Sequence, residues 1–594
     1  MADRLRYQLS ARFTTALHWV FAVVGVVSLV FGYIGLHDYL LRHPEQHLSP
    51  APRDVFYFDI ELFLLQSTPL QRGGPFPWPL EVARFCAPGV SIYTVIEIAV
   101  GVSAHRIGRV RMRRYRGHAV VCGSSRMATV LTEQLRRQRR VVTIEPASED
   151  RRRPDSVIGD PSRPARLREA AIERAAVVYC LLADGHRNVE VAGTVERIRA
   201  GKGFPARVHA MVPDLDLCLA LKARHWSTAG PDGPHVDFFN PDELAAQEVV
   251  RSDDPLFAHE PPRAAVVGTG AFGRSVLVEL GRQWLVRRKH TTAPLQVTVL
   301  GEQAQEAIAA TTVRYGFLDE VCHIRAHTGT AAEFLAERDR LGAPKLHRLY
   351  VCCEDEVQAL GIALDAVTHL SSGLEAIVVR LNRMSGMARS FHPGAGALFD
   401  ALGGRLRIVD VAEVGCDPAV IGLDLAEVLA RTGHQRYLLE RLAGGAALGS
   451  TPAIMPWETL DEDLRAASRA QSFDVGRKVA ALGCLLVPRS AADQDFSYRP
   501  GEIEALARRE HDRWLAERRG RGWRHGAGRD YVTKQHPDLV PWGELPEAER
   551  ERDREAVRSM PAMLAEVGLA IVRVGSRPRL DEGDGDGESG GYAA

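Results

Sequence analysis

The sequence has no excess of either charge, because 75 lysines and arginines balance 75 aspartates and glutamates over 594 residues. Proteins that hold nucleic acid through its phosphates carry a basic surplus, so this composition gives no indication of a nucleic-acid partner. A chain of this length is expected to form several domains.

Paired cysteine motifs are also missing. The nine cysteines include no C-x-x-C and no spacing typical of a metal site, which excludes zinc-ribbon and thioredoxin-like chemistry. We therefore predict reduced, structural cysteines and no metal ligands. The adjacent Cys352 and Cys353 allow two interpretations, a redox or soft-metal site or the core of a strand, and the apolar residues around them favour the core.

A long apolar run near the N-terminus predicts a membrane span. Residues 13–36 contain no Asp, Glu, Lys or Arg, and a helix of that length crosses about 30 Å of hydrocarbon. A second candidate, about 85–104, leads into a segment rich in arginine that ends at Arg116. Arginines also precede the first span, so the positive-inside rule places both termini in the cytoplasm. Residues 1–116 are thus expected to form a two-span helical hairpin in the lipid bilayer of the inner membrane.

The segment between the spans, 55–71, combines a short apolar stretch with polar residues. This pattern is typical of a re-entrant, pore-like segment, with Gln66, Ser67 and Thr68 as pore candidates. An amphipathic helix on the outer membrane face is the alternative. Glu97 in the second span is a further candidate, because carboxylates at membrane depth face a cavity or a partner. Its alternative is a place near the inner interface beside an arginine.

Residues 118–145 predict the first half of a dinucleotide-binding βαβ unit. A strand at 119–122 leads into the turn G-x-S-x-x-A and a helix at about 126–137, whose N-terminus offers free N–H groups to a phosphate. Glu145, the acid that ends the next strand, suits the hydroxyl groups of a ribose that carries no phosphate. The predicted cofactor-binding residues of this domain, 117–257, are Gly123, Ser124, Ser125, Arg126, Glu145, Asp160 and Asp184.

A second domain, 262–415, repeats this plan with a full G-x-G-x-x-G at Gly268, Gly270 and Gly273. Alternating strands and helices predict a parallel, doubly wound sheet in each domain, and later segments recur as well, which indicates duplication. The acidic ribose partner is displaced here, since the second strand ends at Gly301 and Glu302 follows one position later. This site either binds a nucleotide, binds something else or is empty.

The order of spans, pore-like segment, arginine-rich linker and Rossmann domain resembles the two-span potassium channels with RCK regulatory domains. The V-x-G-D run ending at Asp160 is similar to the NAD-binding TrkA-N type. The resemblance implies NAD(H) or an adenine nucleotide as ligand and a homo-oligomer, a tetramer. It does not extend to the TVGYG filter, because residues 66–70 read QSTPL.

The C-terminal region, 455–573, resembles the ryanodine receptor repeat (RyR) domain, a small helical module, in its H-x-x-W…GW and HPDLVPWGELP segments. The residues of interest are Trp514, Trp523, His536 and Trp542. They form either an aromatic pocket for an unknown ligand or protein, or the core of a small helical pair. The acidic tail, 575–594, is predicted to be disordered.

The leading hypothesis is a channel-like membrane protein for cations, potassium among them, regulated by nucleotide binding to its RCK domains. A non-conducting, membrane-anchored nucleotide sensor is the alternative. An NAD-dependent oxidoreductase is a third hypothesis, and no catalytic residue is predicted for it because no His or Lys base is apparent in a catalytic domain.

Overall fold

The computed structural model describes residues 2–64, 66–112, 114–146, 155–200, 207–227, 236–287, 293–370, 373–381, 405–422, 425–491, 496–530 and 532–573. The predicted acidic tail lies outside these ranges, as do the side chains of Arg106, Arg109 and Arg111. The chain divides into two compact units, Met1–Met112 and Arg113–Ala594.

The first unit consists of three helices, α1 (Ala2–Arg42), α2 (Pro52–Phe63) and α3 (Trp78–Met112), with 3₁₀ turns at Pro44–Gln46 and Thr68–Arg72. Pro52 begins α2 at the position where its missing N–H costs nothing. The buried apolar residues of this unit form one cluster: Leu36, Tyr39, Leu40, Val55, Leu62, Leu80, Ala83 and Ala87.

Among the described residues, one stretch is long and apolar enough to cross a membrane, Leu17–Arg42 within α1. It contains most of the first predicted span. The second predicted span, about 85–104, lies within α3, which is a single helix of 35 residues with Pro88 inside it. The predicted re-entrant segment consists of most of α2 and most of the following 3₁₀ turn.

The second unit begins with a six-stranded parallel sheet in the order β3-β2-β1-β4-β5-β6. Its strands are β1 (Ala119–Cys122), β2 (Val141–Glu145), β3 (Ser156–Ile158), β4 (Val177–Cys180), β5 (Arg207–Met211) and β6 (Val236–Phe239). Its helices are α4 (Arg126–Leu135), α5 (Pro164–Glu169), α6 (Gly185–Arg199) and α7 (Leu215–Ser227). The segments α8 (Pro241–Arg251) and α9 (Asp254–Phe257) lead to the next sheet.

The second sheet is also parallel and six-stranded, in the order β12-β11-β10-β7-β8-β9. Its strands are β7 (Arg263–Val267), β8 (Leu295–Leu300), β9 (Cys322–His327), β10 (Leu346–Val351), β11 (Leu374–Leu381) and β12 (Leu406–Asp410). Its helices are α10 (Ala271–Arg287), α11 (Ala304–Arg314), α12 (Leu318–Val321), α13 (Ala331–Arg340) and α14 (Glu356–Val367). Both sheets therefore have one strand order, and the predicted parallel α/β architecture is confirmed.

The two sheet domains exchange their last helices. Helix α8 follows β6 of the first sheet, yet its Ala246 and Val250 lie in the core of the second sheet with Val266. After β12 come α15 (Val411–Val414) and α16 (Pro418–Ile421), and Ile421 lies in the core of the first sheet with Val121. Each sheet is thus completed by a segment that follows the other sheet in sequence.

The C-terminal region is mainly helical, as predicted. It contains α17 (Leu425–Ala443), α18 (Glu462–Ala481), α19 (Glu502–Gly520) and α20 (Glu547–Glu566). Two small sheets accompany them, an antiparallel pair of β13 (Cys484–Pro488) with β16 (Leu569–Arg573) and a pair of β14 (Arg524–His525) with β15 (Gln535–His536). Val475, Leu506 and Leu564 pack in one core with Trp226 of α7.

Candidate functional site

The glycine turn of the first sheet lies between β1 and α4, where the strand order reverses. Gly123 has a φ of +129°, and a Cβ atom there would lie 2.6 Å from the carbonyl oxygen of Leu181. Ser125 caps α4, since its Oγ accepts from the Ala128 N–H at 3.2 Å and donates to the Leu181 oxygen at 3.0 Å. Ser124 is exposed at this turn. The helix therefore begins with backbone N–H groups at the strand ends, where phosphates bind in such folds.

The predicted acids end the neighbouring strands. Glu145 is the last residue of β2 and is half-buried, and its carbonyl accepts from the Gly159 N–H at 2.8 Å. Asp160 follows β3, where its carboxylate accepts from the Ser162 N–H at 3.0 Å and from Arg187 at 2.7 Å. The Ser162 N–H, followed by Arg187, lowers the pKa of Asp160. Both carboxylates thus lie at the carboxyl edge of the sheet, where the ribose is expected.

Asp184 has a structural role at the same edge. It is the N-cap of α6, and its carboxylate accepts from the His186 N–H at 2.9 Å. Asparagine and aspartate are preferred at this position because they satisfy a free N–H of the first turn. Contact with a ligand would therefore compete with the cap.

Arg126, the first residue of α4, has a partner that the sequence does not reveal. Its guanidinium forms an ion pair with Asp410, the N-cap of α15. Asp410 also accepts from the Ala412 N–H at 3.0 Å, and nearby Gln134 of α4 donates to the carbonyl of Glu413 at 3.3 Å. The exchanged segment of the second domain is thus tied to the phosphate end of the first.

The second glycine loop is occupied by the chain itself. A Cβ atom at Gly270 would lie 2.9 Å from Oε1 of Glu354, which follows β10, so this carboxylate lies against the loop. Gly273 packs on the same loop, where a Cβ would lie 2.2 Å from the oxygen of Gly268. A carboxylate repels phosphate, and Gly301 at the end of β8 supplies no acid for a ribose. The geometry disfavours an anionic ligand here.

The pore candidates form a closed turn. The Gln66 N–H donates to the carbonyl of Glu61 at 3.1 Å, and Thr68 donates through both its N–H and its hydroxyl to the Glu61 carboxylate, each at 3.1 Å. Ser67 precedes the 3₁₀ turn as its N-cap, without a side-chain capping bond. This polar turn carries none of the glycines of a potassium filter.

Glu97 contacts His18 of α1. Both side chains are about half exposed in the isolated unit. The nearest arginines that follow the second predicted span, which are the alternative considered from the sequence, lie outside the described side chains. The ring of Tyr93, one turn earlier in α3, stacks on Phe21 with centroids 3.8 Å apart. These contacts join α1 to α3 along their apolar parts.

The aromatic residues of the C-terminal module surround two histidines. The His536 ring lies 5.0 Å from the ring of Trp514 and 6.3 Å from that of Trp523, while Trp542 lies 5.7 Å from His511. Trp523 and His536 are buried, whereas Trp514 and Trp542 are half-buried. The cluster therefore contributes to the core of the module and also presents two indole edges.

Buried charges support this cluster. His536 accepts from Arg529 at 2.8 Å, and burial together with Arg529 and Arg518 lowers its pKa to about 4. Burial by itself would raise the pKa of Glu510, but Lys478 at 2.5 Å and Arg513 at 2.7 Å lower it to about 2. Lys478 lies on α18, upstream of the motif that carries the resemblance.

One group of metal-ligand side chains occurs within the described residues: His259, His347 and Glu375, whose ligand atoms lie within 4.8 Å of one another. The two imidazoles are stacked, with centroids 3.6 Å apart and planes at 8°. Ring-nitrogen lone pairs lie in the ring planes, so parallel rings do not both point at one ion. In addition, Nδ1 of His347 accepts from the Arg263 N–H at 3.0 Å, which leaves the hydrogen on Nε2. This group therefore has the geometry of a stacked histidine pair and not that of a metal site.

The fold defines a protein of two interlocked Rossmann-like domains followed by a helical module. In particular, it contains a TrkA-N domain at residues 119–212 and an RyR domain at residues 501–573. Both resemblances predicted from the sequence are thereby confirmed.

Comparisons with whole proteins give weaker likenesses. No curated protein matches the chain. The GsuK channel is 16% identical over 68% of this chain and 96% of that chain with a TM-score of 0.35, and ADP-bound GsuK is 14% identical over 69% and 97% with a TM-score of 0.34. An N-terminal ketoreductase from a macrolactin assembly line is 12% identical over 56% and 78% with a TM-score of 0.16. Likenesses at this level do not decide the function.

Proposed function

We propose that the TrkA-N domain binds NAD(H) or an adenine nucleotide and that this binding regulates a membrane-embedded, channel-like unit. The observation that carries the proposal is the joint placement of the Gly123 turn, the capped start of α4 and the Glu145 carboxylate at one edge of the first sheet. The turn suits the phosphates through backbone N–H groups, and the carboxylate suits the ribose hydroxyls.

The membrane part of the proposal is supported by exposed apolar side chains on two long helices. On α1 these are Trp19, Val20, Val23, Val26, Val27, Val30 and Ile34, and on α3 they are Phe85, Ile92, Val95, Ile96 and Ile98. Apolar surface of this extent requires a lipid or protein cover. We therefore propose two crossings, with both termini in the cytoplasm of the cell, and a tetramer that conducts cations, potassium among them.

A non-conducting sensor anchored by the same hairpin is the second candidate. The bonds from Thr68 to Glu61 favour it, because they close the turn in which carbonyl oxygens would have to line a pore. We propose no enzymatic role, so NADH added to the protein should show no turnover in absorbance.

One experiment on the full chain separates these candidates. Binding is measured by isothermal calorimetry of the purified protein with NADH, NAD, ATP and ADP, and ion flux is measured in liposomes with and without the nucleotide that binds. Binding accompanied by a change in flux supports the channel, and binding without flux supports the sensor. If no nucleotide binds, the proposal is wrong.

A further inference from the structure

Helix α2 carries an acid in the middle of its buried side. Val55, Asp59 and Leu62 are the buried residues of this helix, and they recur at the spacing of one helical face. Asp59 has 0% of its surface exposed, although aspartate is almost never fully buried unless it is paired. Neither of its carboxylate oxygens has a hydrogen-bond partner among the described residues.

The carboxylate packs directly on a glycine of α1. A Cβ atom at Gly32 would lie 1.9 Å from Oδ1 of Asp59 and 3.2 Å from Cδ1 of Leu62. The two helices therefore approach each other only because position 32 has no side chain. So close a contact leaves no room for a hydrated cation beside Oδ1. One turn earlier in α1, the hydroxyl of Ser28 is likewise buried without a hydrogen-bond partner among the described residues.

The described cations of the packed helices are engaged elsewhere. Arg42 pairs with Asp38 at 2.7 Å, Arg84 pairs with Glu81 at 3.0 Å, and His18 pairs with Glu97. Arg53 is 90% exposed and lies 4.0 Å from Asp54. Besides Asp59, the described charged and histidine side chains of α1, α2 and α3 are His18, His37, Asp38, Arg42, Arg53, Asp54, Glu61, Glu81, Arg84 and Glu97, and none of them forms an ion pair with Asp59.

An ionised carboxylate in this place would be shielded from water and would find neither a counter-ion nor a donor among the side chains that the structure describes. That state is strongly unfavourable, and a buried acid without partners keeps its proton instead. We propose that Asp59 is a proton-binding site: the carboxylic acid is neutral when α2 packs on Gly32, and it releases its proton only when α2 separates from α1 and the carboxylate reaches water.

Proton release at this site acts on the pore-like segment. Helix α2 ends at Phe63, and Glu61 in its last turn holds Thr68 of the following 3₁₀ turn. A displacement of α2 therefore moves the Glu61–Thr68 contact with it. The ligand of the site is a proton, and its effect on the first unit is independent of any nucleotide.

The test uses the full chain in lipid nanodiscs and an infrared titration from acidic to alkaline pH. We expect a carboxylic C=O band at neutral pH that Asp59→Asn removes. Substitution of the half-buried Asp54 in the first turn of α2, Asp54→Asn, should retain this band. We also expect the melting temperature of the wild type to fall relative to that of Asp59→Asn as the pH rises above about 4, because the unfolded chain releases the proton first and the neutral acid is the form that fits the folded state. An unchanged band in Asp59→Asn, or an equal change of melting temperature with pH in that variant, overturns the proposal.

A second pair of variants tests the contact itself if Asp59→Asn does not fold. Gly32→Ala should lower the melting temperature because the new methyl group collides with the carboxylate. Asp59→Ala should restore a large part of that loss in the double variant, because it removes the colliding atoms. Additive losses in the double variant would show that Asp59 does not pack on Gly32, and the proton site would then be wrong.

Discussion

Arg126 at the start of α4 and Asp410 at the start of α15 form an ion pair across two sheet domains, 284 residues apart in the sequence. Arg126 lies three positions after the turning glycine of the first site, where a phosphate would bind the N-terminus of α4. Asp410 therefore pairs with a cation that would also attract a phosphate group. Under the proposed function, nucleotide binding and the attachment of the exchanged segment compete for one guanidinium.

This competition predicts the effect of Asp410→Asn. Removing the charge of Asp410 frees Arg126 for the phosphate, so nucleotide affinity should rise by about fivefold, which corresponds to roughly 1 kcal/mol for a partly exposed pair. Calorimetric titration of the full chain measures it. Asp417→Asn serves as the matched control, because Asp417 caps the neighbouring α16 and accepts from the Ala419 N–H at 2.8 Å. Because asparagine also caps helices, equal effects of the two variants would show that the ion pair with Arg126 does not compete with the nucleotide.

Glu145 and Glu302 offer a matched pair for the two glycine loops. Glu145→Ala should weaken nucleotide binding by about 10- to 100-fold, since hydrogen bonds to a charged group contribute about 1.5–3 kcal/mol. Glu302→Ala should leave the affinity unchanged, because the loop of the second sheet already holds the carboxylate of Glu354. Both affinities are measured with NADH and with ADP. The assignment of the site to the first sheet fails if Glu302→Ala is the weaker binder.

The buried pair of Lys478 and Glu510 predicts a large loss of stability on truncation. Lys478→Met removes one of the two described cations that pair with the buried Glu510 and leaves Arg513, and breaking such a pair costs about 3–5 kcal/mol. Chemical denaturation of the protein, followed by the fluorescence of its tryptophans, measures the loss. The double variant Lys478→Met with Glu510→Gln should be more stable than the single variant. A smaller loss in the single variant would show that the pair contributes little.

Acid should destabilise the same module through two groups. The pKa of Glu510 is lowered to about 2, so its contribution is present above its ordinary value of 4.5 and is lost as the pH falls toward 2. The pKa of His536 is lowered to about 4, so the unfolded chain takes up its proton first and stability falls between pH 6.5 and 4.

Arg529→Gln is the variant that separates the two groups. Arg529 contributes to the low pKa of His536, so its removal should reduce the loss between pH 6.5 and 4 and leave the loss at lower pH in place. Denaturation curves recorded at a series of pH values measure the loss of stability in both pH ranges. An unchanged curve in this variant would show that Arg529 does not help to lower the pKa of His536.

The strands and helices of both sheets follow from local patterns that the sequence displays. The turn at Gly123, the acid at Glu145 and the full glycine motif at Gly268 each depend on residues close in the chain, and the alternation of apolar strands with amphipathic helices predicts one parallel architecture. The aromatic cluster around Trp514 could be predicted for the same reason, since the module is compact in sequence.

The contacts that decide how the sites behave could not be predicted in this way. The pairs of Arg126 with Asp410, Gly270 with Glu354 and Gly32 with Asp59 join residues far apart in the chain. No local preference identifies such partners, because any of several acids has the right charge. The sequence shows that Asp59 lies in an apolar stretch, but only the packed helices show that its carboxylate has no hydrogen-bond partner in the described part of the chain.

The exchange of α8 for α15 and α16 affects how the chain folds during synthesis and how proteolysis would divide it. When synthesis has reached residue 257, the first sheet still lacks α15 and α16, which follow about 160 residues later. At that stage Leu244 of α8 can pack on the first sheet, but Ala246 and Val250 have no second sheet to pack against. Neither half can reach its final state first. The two sheets must therefore complete their folding together. A protease cut between them would leave two incomplete pieces that remain bound to each other.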